Sequence, residues 1–197
     1  QDNLAHYALG LAKERWVANE PRPNAGFTLR TEAFTYYPDG RLAEHTIEPN
    51  KPDYRQREVV KYDAFGNVKK TTLYPEGLPE RWVINEYTAS GVYLAKTTNQ
   101  LDQSTSTVWD EACGQPSQQT NLLGQTQVND RDTFCRPTGT RAYYGNLALG
   151  PKTTIAYSEY QPNANEAYKD VELQVTTSVA GGATSYSLAD RTGKTFL

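Results

Sequence analysis

Methionine is absent from the 197 residues, and cysteine and histidine occur only twice each. The histidines, His6 and His45, are too few and too far apart for a Ser/His/Asp or Cys/His set to be assembled from spacing. No further catalytic signal supports either one. The cysteines, Cys113 and Cys135, have neither a Cys-x-x-Cys partner nor neighbouring histidines, so no metal site is expected. No cofactor is expected either, because Gly181-Gly182 does not follow a strand into a Gly-rich helix start and so makes no phosphate loop. Runs of Lys or Arg are missing and the net charge is only −3, which gives no reason to expect nucleic acid or an anionic membrane as partner. No apolar run approaches the ~18 residues of a membrane-spanning helix. Gln1 begins no basic-plus-apolar signal peptide, and without an initiator Met the chain reads as a processed product or an excised piece.

Apolar residues make up 37% of the chain, against roughly 45–50% in a typical globular domain, which argues against a thick core. What is abundant is Tyr, 14 residues, and Thr, 23 residues. Both suit half-buried pleated surfaces better than a helical core.

The residues are organised by a recurring hairpin. Lys61-Tyr62-Asp63-Ala64-Phe65-Gly66-Asn67-Val68 reads as a strand end, a tight turn and a return strand. Asp63 can accept hydrogen bonds from backbone N–H groups about two residues on, Gly66 supplies the positive φ that closes the loop, and Tyr62 occupies the last pleat before the turn. The same frame fits Tyr36-Tyr37-Pro38-Asp39-Gly40, Leu73-Tyr74-Pro75-Glu76-Gly77 and Tyr87-Thr88-Ala89-Ser90-Gly91. It continues through Thr98-Asn99-Gln100-Leu101-Asp102 (Asp in the Gly place), Trp109-Asp110-Glu111-Ala112-Cys113, Thr120-Asn121-Leu122-Leu123-Gly124 and Arg131-Asp132-Thr133-Phe134-Cys135. With a weaker frame at Ile47, the frames begin at residues 36, 47, 62, 73, 87, 98, 109, 120 and 131. The spacing is 11 residues except for two longer intervals, 15 after Ile47 and 14 after Leu73. Eleven residues are one strand plus one turn, so each period adds a strand to an antiparallel meander.

A last frame, Ala189-Asp190-Arg191-Thr192-Gly193, stands apart near the end, and only Thr195-Phe196-Leu197 of its return strand follows. Residues 34–140 and 171–197 carry the pattern most clearly, whereas 1–33 and 141–170 are irregular. Over Asn3–Ala18 either a short helix or two strands joined at Leu9-Gly10 fits, and Pro21–Gly26 reads as a turn or link. No linker is long or low in complexity, so a single domain spanning 1–197 is expected. Several strands, among them Gln103–Thr107 and Gln125–Asn129, are polar on both faces. Burial would specify their register weakly, which fits a sheet wetted on both sides or one wrapped around a wide lumen.

Asp63, Asp110, Asp132 and Asp190 share one turn position and are expected to cap turns rather than to form acid/base pairs. Exposed aromatics, Tyr36, Tyr62, Tyr87 and Trp109, recur on one edge. They are expected to ladder between hairpins, with stacking on sugar rings as the alternative. Cys113 and Cys135 fall on the same edge with one opposite turn between them. Two strand spacings separate their backbones by roughly 10 Å, beyond the reach of a disulfide. That favours free turn thiols, although leaning turns would close the gap and permit a bridge worth ~3 kcal/mol.

Tyr62-Asp63-Ala64-Phe65-Gly66-Asn67-Val68 resembles the repeat unit of the RHS/YD-repeat family, whose name abbreviates the Tyr-Asp pair. Trp109-Asp110-Glu111-Ala112-Cys113-Gly114-Gln115-Pro116 and Asp190-Arg191-Thr192-Gly193-Lys194 look like looser versions. The resemblance implies an all-β strip that spirals into a hollow shell, as in bacterial RHS polymorphic toxins, the cocoon subunits of insecticidal toxin complexes and teneurin-type surface proteins. It implies a secreted or cell-surface protein of bacterial type whose partners are the rest of the parent shell and either a C-terminal effector or a partner toxin subunit. The self-cleavage motif of the bacterial members carries an Asp-Pro pair, and this sequence has none. Only the structural role carries over, with no enzymatic activity. A carbohydrate-binding β module of an extracellular protein is the alternative, with glycans as partners.

Overall fold

The computed structural model describes residues 10–18, 29–159, 171–190 and 195–196. His6, Gly193 and the Pro21–Gly26 link lie outside these residues, as does the side chain of Asp190. The protein is all-β and antiparallel, with one short 3-10 turn at Pro52–Tyr54 and no α-helix among the described residues. It divides into two compact units, residues 1–104 and 105–197.

The first unit contains β1 (Glu14–Ala18), β2 (Leu29–Tyr36), β3 (Leu42–Ile47), β4 (Gln56–Tyr62), β5 (Val68–Pro75), β6 (Arg81–Tyr87) and β7 (Leu94–Asn99). Each pairs with the next in chain order. The described part of the ambiguous N-terminal stretch is strand rather than helix: Trp16 pairs with Thr31 and Arg15 with Glu32. Arg15, Trp16 and Val17 are consecutive bulky residues that alternate between sheet faces, and partners across the ladder decide the conformation where local spacing left two open.

The second unit holds β8 (Ser104–Asp110, beginning at the unit boundary), β9 (Gln115–Thr120), β10 (Gln125–Arg131), β11 (Pro137–Tyr144), the short β12 (Leu147–Ala148), β13 (Thr153–Glu159), β14 (Val171–Val179), β15 (Thr184–Asp190) and β16 (Thr195–Phe196). Pairing again follows the chain, with β12 folded back on β11 beside the β11–β13 pair. The β14–β15 hairpin turns at Ala180-Gly181-Gly182, where the Gly182 N–H donates to the Val179 carbonyl at 2.8 Å.

Burial is thin. Among the described residues Val60 is the only buried large apolar side chain, joined by the polar Glu32 and Thr72. Glu32 is held by Arg15 at 2.8 Å and Arg30 at 3.3 Å, with His45 Nε2 3.4 Å away. The Arg15 hydrogen bond is the main cause that holds its carboxyl below the ordinary range, with burial opposing. His45 in turn stacks flat on Phe34, ring centroids 4.7 Å apart. Ladder hydrogen bonds, cross-strand pairs and turns therefore carry the order that a core supplies elsewhere.

Candidate functional site

The repeated turn is the feature the sequence builds most consistently, and four copies are nearly superimposable in their hydrogen bonds. In each, an Asp or Asn opens the turn and its Oδ1 accepts two backbone N–H groups, two and four residues on. Asp63 accepts from Phe65 and Asn67, both at 2.9 Å. Asn99 accepts from Leu101 and Gln103 at 2.9 and 3.2 Å. Asn121 accepts from Leu123 and Gln125 at 2.9 and 3.0 Å, and Asp132 from Phe134 and Arg136 at 2.9 and 3.0 Å.

The other side-chain atom of the capping residue clasps the side chain four residues on, and the partners are matched in chemistry. The Asn67 amide donates to Asp63 at 3.2 Å, the Asn99 and Asn121 amides donate to Gln103 and Gln125 at 3.0 Å, and the Arg136 guanidinium donates to Asp132 at 2.7 Å. Burial alone would raise the Asp63 and Asp132 carboxyls. The hydrogen bonds from Asn67 and Phe65 in one case, and from Arg136 and Phe134 in the other, outweigh it and hold both below the ordinary aspartate range.

The fourth residue of each turn adopts the left-handed region: Gly66 (φ 92°), Asp102 (57°), Gly124 (76°) and Cys135 (64°). The turn at Tyr37–Arg41 uses the same backbone bonds, with Gly40 at φ 86°. Its carboxylate comes from Asp39, held low chiefly by its hydrogen bond from the Arg41 side chain. Thr88 opens the turn after β6, which carries one extra residue before Tyr93 closes it, and Gly91 is left-handed there. Asp110 accepts the Cys113 N–H at 3.2 Å, with Gly114 in the left-handed place.

The pre-turn aromatics sit where the ladder slips. Register shifts fall immediately before Tyr36, Tyr62 and Tyr87 in the first unit and before Trp109 in the second, so each follows a bulge that re-aims its ring. All four are half-buried rather than exposed. The Tyr36 hydroxyl donates to the Ala12 carbonyl at 2.8 Å and that of Tyr87 to Val68 at 3.4 Å. Tyr62 meets Tyr37 edge-on at 5.8 Å and lies under the Arg41 guanidinium at 4.6 Å. Burial, with Tyr37 adding to it, raises the Tyr62 phenol.

Neighbouring turns on one edge are also tied to each other. Asn67 donates from its side chain to the Gly91 carbonyl at 2.7 Å, and the Phe65 ring lies so close over Gly91 that a Cβ there would fall 2.4 Å from it. In the second unit the corresponding tie is covalent. Cys113 and Cys135 form a disulfide with Cα atoms 5.4 Å apart, which corrects the expectation of free thiols. The two-spacing distance holds inside the ladder, but both turns project past the last paired residues and lean across. Arg131 and Asn129 pull the same way by donating to the Pro116 carbonyl at 3.1 and 3.4 Å.

Each unit also carries a larger hollow. In the first, Arg57 lies over the Tyr74 ring at 4.6 Å and Arg55 pairs with Glu76 at 2.9 Å, lining a space of about 520 Å³. In the second, Thr, Gln and Asn side chains line about 460 Å³. The spacing frames contain Asn99 and Asn121 but do not mark them as caps. The signal was there, because Asn stands where Asp63 and Asp132 stand. The hollows had no signal beyond the irregular intervals.

No family model matches the chain, and no curated protein matches it. Among solved structures it resembles chains of TcdB2–TccC3. These include the form without the hypervariable C-terminal region (12% identity, TM-score 0.48) and the complex with Cdc42 (12%, 0.49), each over 86% of this chain and 10% of the other. The chain thus spans about a tenth of the length of these chains.

Proposed function

We propose that this chain is a structural repeat segment of a large exported RHS/YD-repeat protein, a stretch of β wall that encloses or presents a toxin or effector. The observation that carries this reading is the clasped turn, opened by Asp63, Asn99, Asn121 and Asp132 with the last three set apart by multiples of 11 residues, in a sheet with almost no core among its described residues. A sheet built this way stays ordered while wetted on both faces, which is what a wall between two compartments requires. Catalysis is not part of the proposal, since the recurrent carboxylates are spent on turn N–H groups and their clasp partners. The disulfide supports an oxidising, extracellular location. The partners are the remainder of the parent shell and its effector or companion toxin subunit.

Electron cryo-microscopy of the longest natural polypeptide containing these residues tests the proposal. The expected result is a hollow shell with this segment in its wall. A compact solid module with both faces covered would overturn it. The 197-residue chain by itself should associate through unpaired strand edges, and light scattering showing a clean monomer over a wide concentration range would count against an open strip.

A further inference from the structure

Each hollow is bordered by a segment where the 11-residue period fails. The 15-residue interval inserts the loop before β4 that supplies Arg55, and the irregular stretch after Tyr144 supplies Leu149 to the second hollow. Insertions into a repeat array tend to gather on a binding face. The two hollows differ in what they leave available. In the first, Arg55 is spent on Glu76, and Arg57 is parked on Tyr74 with Glu44 3.7 Å away. The second carries no charged side chain.

Thr107, Gln119, Gln127 and Ala142 face one another in register across four neighbouring strands, a row of about 14 Å at ordinary strand spacing. Thr105 extends it by one position on the same face of β8. The Gln127 amide N–H donates to Asn129 at 2.9 Å, and its carbonyl oxygen accepts no hydrogen bond among the described residues. The Gln119 side-chain amide makes no hydrogen bond among the described residues, so a donor and an acceptor both stand open in the middle of the row. At one end the Leu149 N–H donates to the Ala142 carbonyl at 2.9 Å, which fixes the exposed Leu149 side chain beside the Ala142 methyl.

We propose that this hollow binds a neutral saccharide bearing an acetamido group, an N-acetylhexosamine or its disaccharide. An acetamido group offers one N–H, one carbonyl and one methyl. The open Gln119 amide matches the first two as a paired amide contact, and the Ala142–Leu149 corner receives the methyl. The remaining hydroxyls meet Thr105, Thr107 and the Gln127 carbonyl. The lack of charge selects against anionic ligands, and 460 Å³ lies within the usual range for small-ligand pockets. A row of about 14 Å accommodates two rings side by side.

The test is an NMR titration of the 197-residue chain with N-acetylglucosamine and N,N′-diacetylchitobiose, with glucose and maltose as unacetylated controls. Saturable shifts at the Gln119 side-chain amide and the Ala142 and Leu149 methyls are expected with the acetylated sugars, and much weaker ones with the controls. Gln119→Leu should weaken binding about tenfold or more, and Thr107→Val, a near-isosteric change at a half-buried strand position, should weaken it less. Tyr74→Ala in the other hollow should leave affinity unchanged. Melting curves of each variant separate lost binding from lost folding. Absence of saturable shifts, equal response to glucose, or undiminished affinity in folded Gln119→Leu would each overturn the proposal.

Discussion

At the scale of single residues the turns show how one backbone requirement is met by different chemistry. Asp63 and Asp132 cap with a carboxylate, and Asn99 and Asn121 cap with an amide, using the same Oδ1 geometry. The charge matters to the clasp between Asp132 and Arg136 and to pH response. Both aspartates are held below their ordinary pKa of about 4, so their stabilisation is fully present above that value and is lost as pH falls through the lower folded-state value. Thermal melts should therefore be flat from neutral pH down to about 4 and then fall. In Asp63→Asn/Asp132→Asn the fall should be shallower, because the amide keeps both backbone contacts with no proton to gain. A fall as steep as in the parent would place the acid sensitivity elsewhere. Gly91 is a second residue whose identity is forced, by its φ of 72° and by Phe65. Gly91→Ala should cost roughly 2 kcal/mol or more from strain and overpacking together. Denaturant melts should show partial recovery in Gly91→Ala/Phe65→Ala, since removing the ring relieves only the overpacking.

At the scale of elements, the disulfide replaces what Phe65 and Asn67 do in the first unit, fastening one turn to its neighbour along an edge. Closing a loop across a separation of 22 residues should stabilise by ~3 kcal/mol on loop-entropy grounds. Urea melts of Cys113→Ser/Cys135→Ser, or of the parent under reductant, should report a loss of that size. An unchanged midpoint would mean the unfolded second unit is already compact. The hairpins were legible from sequence because a strand, a cap and a left-handed residue recur at fixed offsets, all of them local chemistry. The bridge was misjudged because it depends on how far two turns lean, which no spacing encodes. Trp16 opposite Thr31 was equally out of reach, since the strand is defined by its partner and not by its own residues.

At the scale of the whole molecule, the antiparallel meander followed directly from the 11-residue interval, and the low apolar fraction foreshadowed a structure in which Val60 is the one buried large apolar side chain among the described residues. The hollows were not legible, because they arise from what folds over the strands where the period lapses. Residues 145–150 illustrate this. Gly145 turns the chain, Leu147 and Ala148 pair back on β11, and Arg141 donates to the Gly150 carbonyl at 3.2 Å.

The bridge between Cys113 and Cys135 has a mechanical consequence as well. When a chain is pulled or threaded through a narrow opening, tension runs along the shortest covalent route. Here that route passes from Cys113 straight to Cys135, so β9, β10 and the turn between them bear no load. About 75 Å of extended length is thereby withheld until the bond is reduced. A cut within the exposed Leu122-Leu123 tip would likewise leave the two pieces joined, visible as a break only under reducing conditions.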